Sequence, residues 1–208
     1  MDEMNKIVSI EKFKGKTYCI EFEDGDKIYL HSSIIAQYSL KEGIEIPQSA
    51  IEQIIFDNDF RRAKERALYL LEYRDHSYKE LFDKLMRNYS EEVCFAVMDK
   101  MVDLRLIDDR KYAKMYARKL FEVKKMGKFK ARFEMKKKGI SEELIDEMVE
   151  IYEDGTIERL KEFVDKKYAR YLDDDKGIKK VTSALLRAGY TYSEIKEVLN
   201  MYLDEEEY

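Results

Sequence analysis

Two kinds of hydrophobic pattern divide this chain. Between residues 5 and 31, apolar and polar residues alternate, as they do from Tyr18 to Phe22, and this is the period of a half-buried strand. Gly15 and Gly25 mark turns between the alternating runs, and Ile7–Ile10 supplies a further run. The pattern therefore predicts a small meander of about three strands. Because three strands are marginal alone, we expect the meander to pack on a helix.

After these strands the apolar positions follow the helical period. A short helix is predicted from Ser33 to Tyr38, ending near Gly43. Pro47 then precedes a long helical run from Gln48 to about Tyr73, because proline suits a helix start. The polar run Asp57–Asp59 is expected to break or bend this helix, and to mark the end of an N-terminal module.

The rest of the chain contains a unit that occurs three times. Asn88, Gly139 and Gly189 each precede an apolar residue, a hydroxyl residue, acidic residues and an apolar stripe. A period of about fifty residues indicates a repeated structural unit. The predicted fold is therefore mainly α, with three tandem three-helix repeats forming an elongated curved array behind a small N-terminal β-meander and helix module. The predicted boundaries are 1–58, 59–108, 109–154 and 155–208.

Helix starts within the repeats carry recognisable capping residues. Ser77 with Glu80, and Thr191 with Glu194, have the spacing of a capping box, in which each side chain bonds the other residue's backbone amide. Asp109 is predicted to cap the first helix of the second repeat.

Three further apolar residues are predicted to be core from helical spacing alone. Leu104 continues the apolar stripe of the third helix of the first repeat. Phe129 and Phe133, at i and i+4, are interpreted as core residues and not as platforms for nucleic-acid bases.

Composition favours a helical protein without a membrane span. Charged residues make up 40% of the chain, which has one proline and no tryptophan. No apolar run approaches the roughly 18 residues of a membrane helix, and no signal-peptide pattern opens the chain. Cys19 and Cys94 lie far apart and are interpreted as free thiols. We therefore expect a cytoplasmic protein, acting as a monomer.

The sequence offers no catalytic constellation. His31 and His76 have no accompanying serine or cysteine motif, and both are interpreted as surface or capping residues. Asp173–Asp175 lacks the alternating ligand spacing of a calcium loop and is interpreted as a turn before a helix. No glycine-rich phosphate loop is present. We predict no enzyme activity, no metal and no cofactor.

The most prominent charged feature is a basic segment at residues 124–138, opposed within the segment only by Glu134. It is either a solvated helix face or a surface for phosphates or an acidic protein. Acidic residues lie elsewhere, in Glu142-Glu143, Asp173–Asp175 and the tail from Asp204 to Glu207, while the formal net charge of -5 argues against general coating of DNA. The candidate partner- or DNA-facing residues are Lys124, Lys125, Lys128, Lys130, Arg132, Lys136, Lys137 and Lys138, with Lys79, Lys84 and Arg87 of the first repeat.

Several of these motifs together resemble the RecX family over about residues 60–203. The matching positions are Arg74, Ser77, Glu80, Leu81, Lys84 and Leu85, then Leu104, Ile107, Asp108, Asp109, Tyr112 and Ala113, and finally Arg118, Gly127 and Lys138-Gly139-Ile140. The N-terminal strands resemble the extension of the longer Gram-positive-type members. Two departures are Met135-Lys136-Lys137, in place of a leucine-containing stretch, and Asn88, where the later repeats have glycine.

The resemblance implies a regulator that is not an enzyme. Members of the family bind the RecA recombinase, lie in the groove of the RecA–DNA filament, and restrain its ATPase, strand-exchange and coprotease activities, so they regulate DNA repair and recombination. A weak direct contact with DNA is compatible with this role. Two other functions are considered: a direct DNA-binding helical protein, which the net charge disfavours, and a helical adaptor for another ATPase.

Overall fold

The computed structural model describes residues 3–204, and the chain begins with a four-stranded antiparallel sheet. Strands β1 (Met4–Lys14), β2 (Thr17–Phe22) and β3 (Lys27–His31) form the predicted meander, which is confirmed. A short strand β4 (Glu45–Pro47) pairs with β1, so the spatial order is β3-β2-β1-β4. The sequence pattern missed β4 because three residues are too few to show alternation.

The first helix, α1 (Ser32–Gln37), follows β3 directly. His31 caps it: the side-chain Nδ1 accepts a hydrogen bond from the Ser33 amide at 3.1 Å, which confirms the capping role. The helix ends at Gln37, earlier than predicted, and Ser39 takes a positive φ of 52°. Gly43, with a φ of 84°, belongs to the following turn.

The long helix α2 (Gln48–Tyr73) is continuous, so the predicted break at Asp57–Asp59 is wrong. Asn58 is buried and its side chain bonds the free edge of β3. Its Oδ1 accepts from the His31 amide at 3.0 Å and its Nδ2 donates to the Tyr29 carbonyl at 3.3 Å. Asn58 thus satisfies backbone groups of the sheet while the helix continues through the polar run.

The remaining helices confirm the mainly α class with three helices in each repeat. A π-helical segment (Lys119–Val123) extends the helix that begins at Asp109, and a short 3₁₀ turn (Ala169–Tyr171) follows the helix that begins at Thr156. The helices are α3 (Tyr78–Leu85), α4 (Glu91–Asp103), α5 (Asp109–Arg118), α6 (Lys128–Lys137), α7 (Glu142–Ile151), α8 (Thr156–Lys167), α9 (Asp175–Arg187) and α10 (Tyr192–Asp204).

The contacts divide the chain into two compact units. The first comprises the chain up to Arg74 together with Leu81–Leu106, and the second comprises Asp75–Glu80 together with the chain from Ile107 onward. The predicted segment boundaries therefore stay predictions. Residues 1–2 and 205–208, which include the acidic residues Glu205 to Glu207, lie outside the described residues.

Each compact unit has its own apolar core. In the first unit, α2 packs Ile51 and Ile54 on the face of the sheet that carries Ile7, Ile20 and Leu30. The predicted burial of Leu104 is wrong: it follows the end of α4 and is 47% exposed. In the second unit the second and third repeats have separate clusters. The central buried residues are Leu120, Met135, Ile145 and Met148 in the second repeat, and Val164, Leu185 and Val198 in the third.

Two of the three predicted capping sites begin a helix of the repeats. Thr191 and Glu194 form a reciprocal capping box, with the Thr191 amide donating to Glu194 at 2.7 Å and the Glu194 amide donating to Thr191 Oγ1 at 3.2 Å. Ser77 Oγ accepts from the Glu80 amide at 3.1 Å. The prediction for Asp109 is wrong, because the cap of α5 is Asp108, which accepts from the Lys111 amide at 2.8 Å.

Within the second unit, equivalent turns join consecutive repeats. Before α3, Ser77 Oγ donates to the Lys138 carbonyl at 2.5 Å, and before α6, the Gly127 amide donates to the Ala188 carbonyl at 2.9 Å. Ser77 and Gly127 are fifty residues apart, as are Lys138 and Ala188. The turn that ends the second helix of one repeat thus contacts the turn that precedes the second helix of the repeat before it.

Candidate functional site

The basic segment spans the turn before α6 and α6 itself, and most of its charges are paired. Within the segment only Glu134 is acidic, and folding adds carboxylates from α3, α7, α8 and the turn between α7 and α8. The ion pairs are Lys125–Glu162 at 2.7 Å, Lys128–Glu153 at 3.5 Å, Lys130–Glu134 at 3.5 Å, Arg132–Asp146, Lys136–Glu142 at 2.5 Å and Lys138–Glu80. Proximity to Lys125 lowers the pKa of the Glu162 carboxyl.

Lys138 belongs to a polar junction between the start of α3 and the second repeat. Its ammonium contacts the Glu80 carboxylate, which also accepts from the Tyr112 hydroxyl at 2.8 Å. Beside this pair, the Tyr78 amide donates to Asp109 at 2.8 Å. Burial raises the pKa of Asp109, and the hydrogen bond from Tyr78 opposes that rise. The motif residues Glu80, Asp109 and Tyr112 therefore have a structural role. Asp109 caps α3 and not the helix in which it lies.

His76 lies next to this junction and is buried. Its side chain is only 4% exposed and Ser77 is fully buried, so the surface interpretation of His76 is wrong, and the capping interpretation stays a prediction. Lys79 is exposed, and its side chain packs against Gly139 in the same junction. Of the candidate residues in the first repeat, Lys84 and Arg87 lie in the first compact unit.

The outward face of α6 is aromatic as well as basic. Phe129 and Phe133 are 59% and 53% exposed, so the prediction that they are core is wrong. Ala131 and Met135 are the residues of α6 that are buried. The ammonium groups of Lys130 and Lys137 lie 5.2 Å and 5.3 Å from the centroid of the Phe133 ring, which is cation–π distance. We call Phe129, Lys130, Phe133 and Lys137 the α6 face.

One cation recurs at the same place in each repeat. Arg87, Lys137 and Arg187 each lie two residues after a fully buried residue. These buried residues are Leu85, Met135 and Leu185, respectively. All three cations are exposed, and none has a carboxylate within 4.0 Å among the residues that the structure describes. Arg187 was absent from the sequence-based candidates, although its spacing of fifty residues from Lys137 carried the signal.

Arg187 belongs to a basic surface on α9 that the sequence analysis also missed. Lys176, Lys179 and Lys180 line the same shallow cleft as Arg187. These lysines are exposed, and none has an acidic partner in the part of the chain that the structure describes. They form no dense basic run in the sequence, because they are dispersed along the helix.

The described residues contain no group of three or more His, Cys, Asp or Glu side chains placed to hold a metal ion. Cys94 is buried, which raises its thiol pKa, and Cys19 is half-buried; both are free thiols. Within residues 3–204, none of the helices is long and apolar enough to cross a membrane. The arrangement presents exposed cations and aromatic rings, which are groups suited to binding.

Comparison with known proteins gives a consistent result. The chain matches three domains of the RecX family: the first three-helix domain over residues 63–101, the second over 108–149 and the third over 153–199. It is 30% identical to the regulatory protein RecX of Clostridium acetobutylicum, over 98% of this chain and 99% of that protein. It is 29% identical to the regulatory protein RecX of Clostridioides difficile, over 99% of both chains.

Two solved structures share the fold. A crystal structure of regulatory protein RecX has a TM-score of 0.67 at 24% identity, covering 94% of this chain and 99% of that one. A crystal structure of RecX from Lactobacillus salivarius has a TM-score of 0.62 at 26% identity, covering 70% of this chain and 97% of that one. The resemblance noted from sequence motifs is therefore confirmed.

Proposed function

This chain belongs to the RecX family of regulatory proteins, and from that premise we propose that it binds the filament of a RecA recombinase on DNA. Bound there, it restrains the ATPase, strand-exchange and coprotease activities of the recombinase. It acts as a monomer in the cytoplasm, where it regulates DNA repair and recombination, and it is not itself an enzyme. The observation that carries the proposal beyond family membership is the α6 face.

The α6 face has the composition of a protein-binding surface. Two phenylalanines more than half exposed on one helix leave apolar area in water, and burial against a partner recovers about 25 cal/mol per Å². Lys130 and Lys137 beside the Phe133 ring add positive charge to this apolar surface. An acidic surface with an apolar centre complements such a face, because aromatic anchors and cations dominate interface energies.

The paired state of the basic segment favours protein contact over plain DNA coating. Six of its eight basic side chains have acidic partners in the folded chain, so the segment presents less free positive charge to phosphates than its sequence indicates. Together with the net charge of -5, this disfavours non-specific DNA binding by the whole molecule.

Co-sedimentation tests the proposal directly. The intact chain is expected to pellet with recombinase filaments on single-stranded DNA and to lower their ATPase rate. The double variant Phe133→Ala/Lys137→Glu is expected to bind at least about tenfold more weakly, because it removes an aromatic anchor and reverses a charge. The control Tyr192→Ala/Lys166→Glu changes an exposed tyrosine and an exposed lysine in the third repeat, and is expected to bind normally.

Four other outcomes would contradict the proposal. Equal binding by both double variants would remove the α6 face from the interface. Unchanged inhibition after charge reversal at Lys124, Lys128, Lys130 and Lys136 together would show that the basic segment takes no part in the interface. Sedimentation with bare DNA as strong as with filaments would favour a direct DNA-binding protein, and failure to bind the filament at all would favour an adaptor for another ATPase.

A further inference from the structure

The first compact unit contains a cleft that the proposed function does not use. The cleft has a volume of about 300 Å³ and lies where β1 and β3 meet α2. Its lining combines two aromatic rings, Phe13 and Tyr29, with the cationic side chains of Lys14, Arg61 and Arg62. All of these residues belong to the first compact unit.

The two aromatic rings are unusually open for residues of a sheet. Phe13 is 65% exposed and Tyr29 is 48% exposed. Their ring centroids lie 4.9 Å apart with an angle of 63° between the planes, so the rings support each other edge to face. Exposed aromatic rings on a sheet are suited to stacking with the bases of an unpaired strand.

The cations of the cleft retain unused donors. Arg62 contacts Asp59 at 3.3 Å and keeps 57% of its side chain exposed. Arg61 contacts Glu65 at 2.5 Å through one terminal nitrogen, and its side chain is 24% exposed, although its Nε is buried. A guanidinium has five N–H donors, so each arginine can bind a phosphate oxygen while keeping its carboxylate partner.

Lys14 completes the positive side of the cleft. It is exposed at the end of β1, one residue after Phe13, and no carboxylate lies within 4.0 Å of it in the part of the chain that the structure describes. Lys14, Arg61 and Arg62 carry three positive charges, and the two acidic partners carry two negative charges. This group of side chains therefore has a net charge of +1. The lining therefore attracts an anion that also offers a flat aromatic group.

The sheet and α2 hold these groups in place. Asn58 bonds both the Tyr29 carbonyl and the His31 amide, and it stands one helical turn before Arg61 and Arg62. The strand that carries Tyr29 and the helix that carries the arginines are thus joined by side-chain hydrogen bonds. A site held on strands and helices loses little conformational entropy when a ligand binds.

We propose that this cleft binds single-stranded nucleic acid. A base stacks on Phe13 and Tyr29, and the neighbouring phosphates contact Lys14, Arg61 and Arg62. Double-stranded nucleic acid lacks the unpaired base that the rings require. The site is independent of the proposed function, since its residues precede the three matched three-helix domains, which begin at residue 63, and since it needs no recombinase.

Fluorescence anisotropy with the full chain tests the site. The probes are labelled oligothymidine and oligouridine of about twelve nucleotides, and the corresponding duplex. Both single strands, or one of them, are expected to bind, and the duplex more weakly. Phe13→Ala/Tyr29→Ala is expected to lower the affinity at least about tenfold, because stacking is worth a factor of that order for each base.

The charge contribution has its own measurement. Arg62→Ala is expected to make the salt dependence of binding shallower by about 0.7 in log–log slope, the value for one phosphate contact of a single strand. Tyr192→Ala and Lys27→Ala are matched controls on exposed residues outside the cleft, and both are expected to leave affinity and slope unchanged.

The site would be overturned by any of three results. These are no binding of either single strand by folded protein, equal binding of the duplex, or an affinity unchanged by Phe13→Ala/Tyr29→Ala. Because the assay contains no recombinase, failure here leaves the filament proposal untouched. Loss of filament binding by the α6 variants likewise leaves this site untouched. Circular dichroism of each variant confirms that the fold is kept.

Discussion

Two glycines determine how closely consecutive repeats approach within the second compact unit. Gly139 and Gly189 take positive φ values of 70° and 95°. A Cβ at Gly139 would lie 2.3 Å from the Cβ of Lys79, and one at Gly189 would lie 2.3 Å from the backbone nitrogen of Lys130. The first repeat has no glycine here, because its turn from Leu85 to Ser90 is one residue shorter than the later turns, and no helical repeat precedes it.

Alanine at Gly189 is therefore expected to destabilise the protein strongly. The left-handed conformation alone costs an L-residue about 1–2 kcal/mol, and overpacking against fixed backbone adds about 1–3 kcal/mol. Gly155→Ala is the control: its φ is also positive, at 74°, but a Cβ there would meet only the ends of two flexible side chains, Arg159 at 3.1 Å and Glu158 at 3.9 Å. Urea unfolding measures both, and equal losses would contradict the close-approach argument.

Tyr190, which follows Gly189, makes stability depend on pH in alkaline solution. It is buried, its hydroxyl donates to the Lys125 carbonyl at 2.9 Å, and burial raises its pKa to about 12. The unfolded chain loses this proton near pH 10 while the folded chain keeps it. The stabilising contribution is thus complete below about pH 10 and is lost as pH rises towards 12.

The variant Tyr190→Phe isolates this effect. Near pH 8 it is expected to be about 1 kcal/mol less stable than the parent, because the Lys125 carbonyl loses its donor. Between pH 10 and 12 the parent is expected to lose up to about 2–3 kcal/mol that the variant does not lose. Urea midpoints at several pH values test this; a gap between the proteins that stays constant up to pH 12 would contradict it.

At the scale of the element, α6 shows how two alternating faces of one helix are told apart. Phe129 and Phe133 have the same i, i+4 spacing as Ala131 and Met135, and hydrophobicity alone favours the phenylalanines as core. The repeat decides otherwise, because Met135 stands fifty residues from both Leu85 and Leu185, which are fully buried. The outward phenylalanines are then available for binding.

Stability measurements separate these two faces. Met135→Ala is expected to cost about 2–5 kcal/mol, the usual range for truncating a fully buried side chain. Phe133→Ala is expected to cost less than about 1 kcal/mol, since its ring is 53% exposed and its contacts are with the two lysines. Thermal or urea unfolding measures both; a larger loss for Phe133→Ala would place its ring in the core.

Local patterns predicted the elements well, and contacts distant in sequence account for most errors. The strand alternation, the Thr191–Glu194 capping box and the fifty-residue period depend on neighbouring residues, and all are observed. The continuity of α2 depends on Asn58 reaching β3, and the role of Asp109 depends on an amide thirty-one residues away. Most pairs of the basic segment depend in the same way on carboxylates outside it, such as Glu80 and Glu162, so no local pattern contains them.

For the whole molecule, the repeated cation is the feature that best suits a polymeric partner. A filament presents the same surface at regular intervals, and a chain with three similar repeats can make the same contact three times. Arg87, Lys137 and Arg187 are equivalent in sequence, exposed, and without a carboxylate partner among residues 3–204. If each meets one acidic group of the filament, their contributions to binding are similar and roughly multiply.

Neutralising the three cations one at a time and together tests this arrangement. Each single alanine variant is expected to weaken filament binding by a similar factor of roughly 2–5, and the triple variant by roughly the product of the three factors. The triple control Lys12→Ala/Lys41→Ala/Lys166→Ala has the same net charge and changes only exposed lysines, so it is expected to bind almost normally. Equal loss in the two triple variants would mean that binding senses only total charge. Loss confined to Lys137→Ala would mean that the second repeat binds alone.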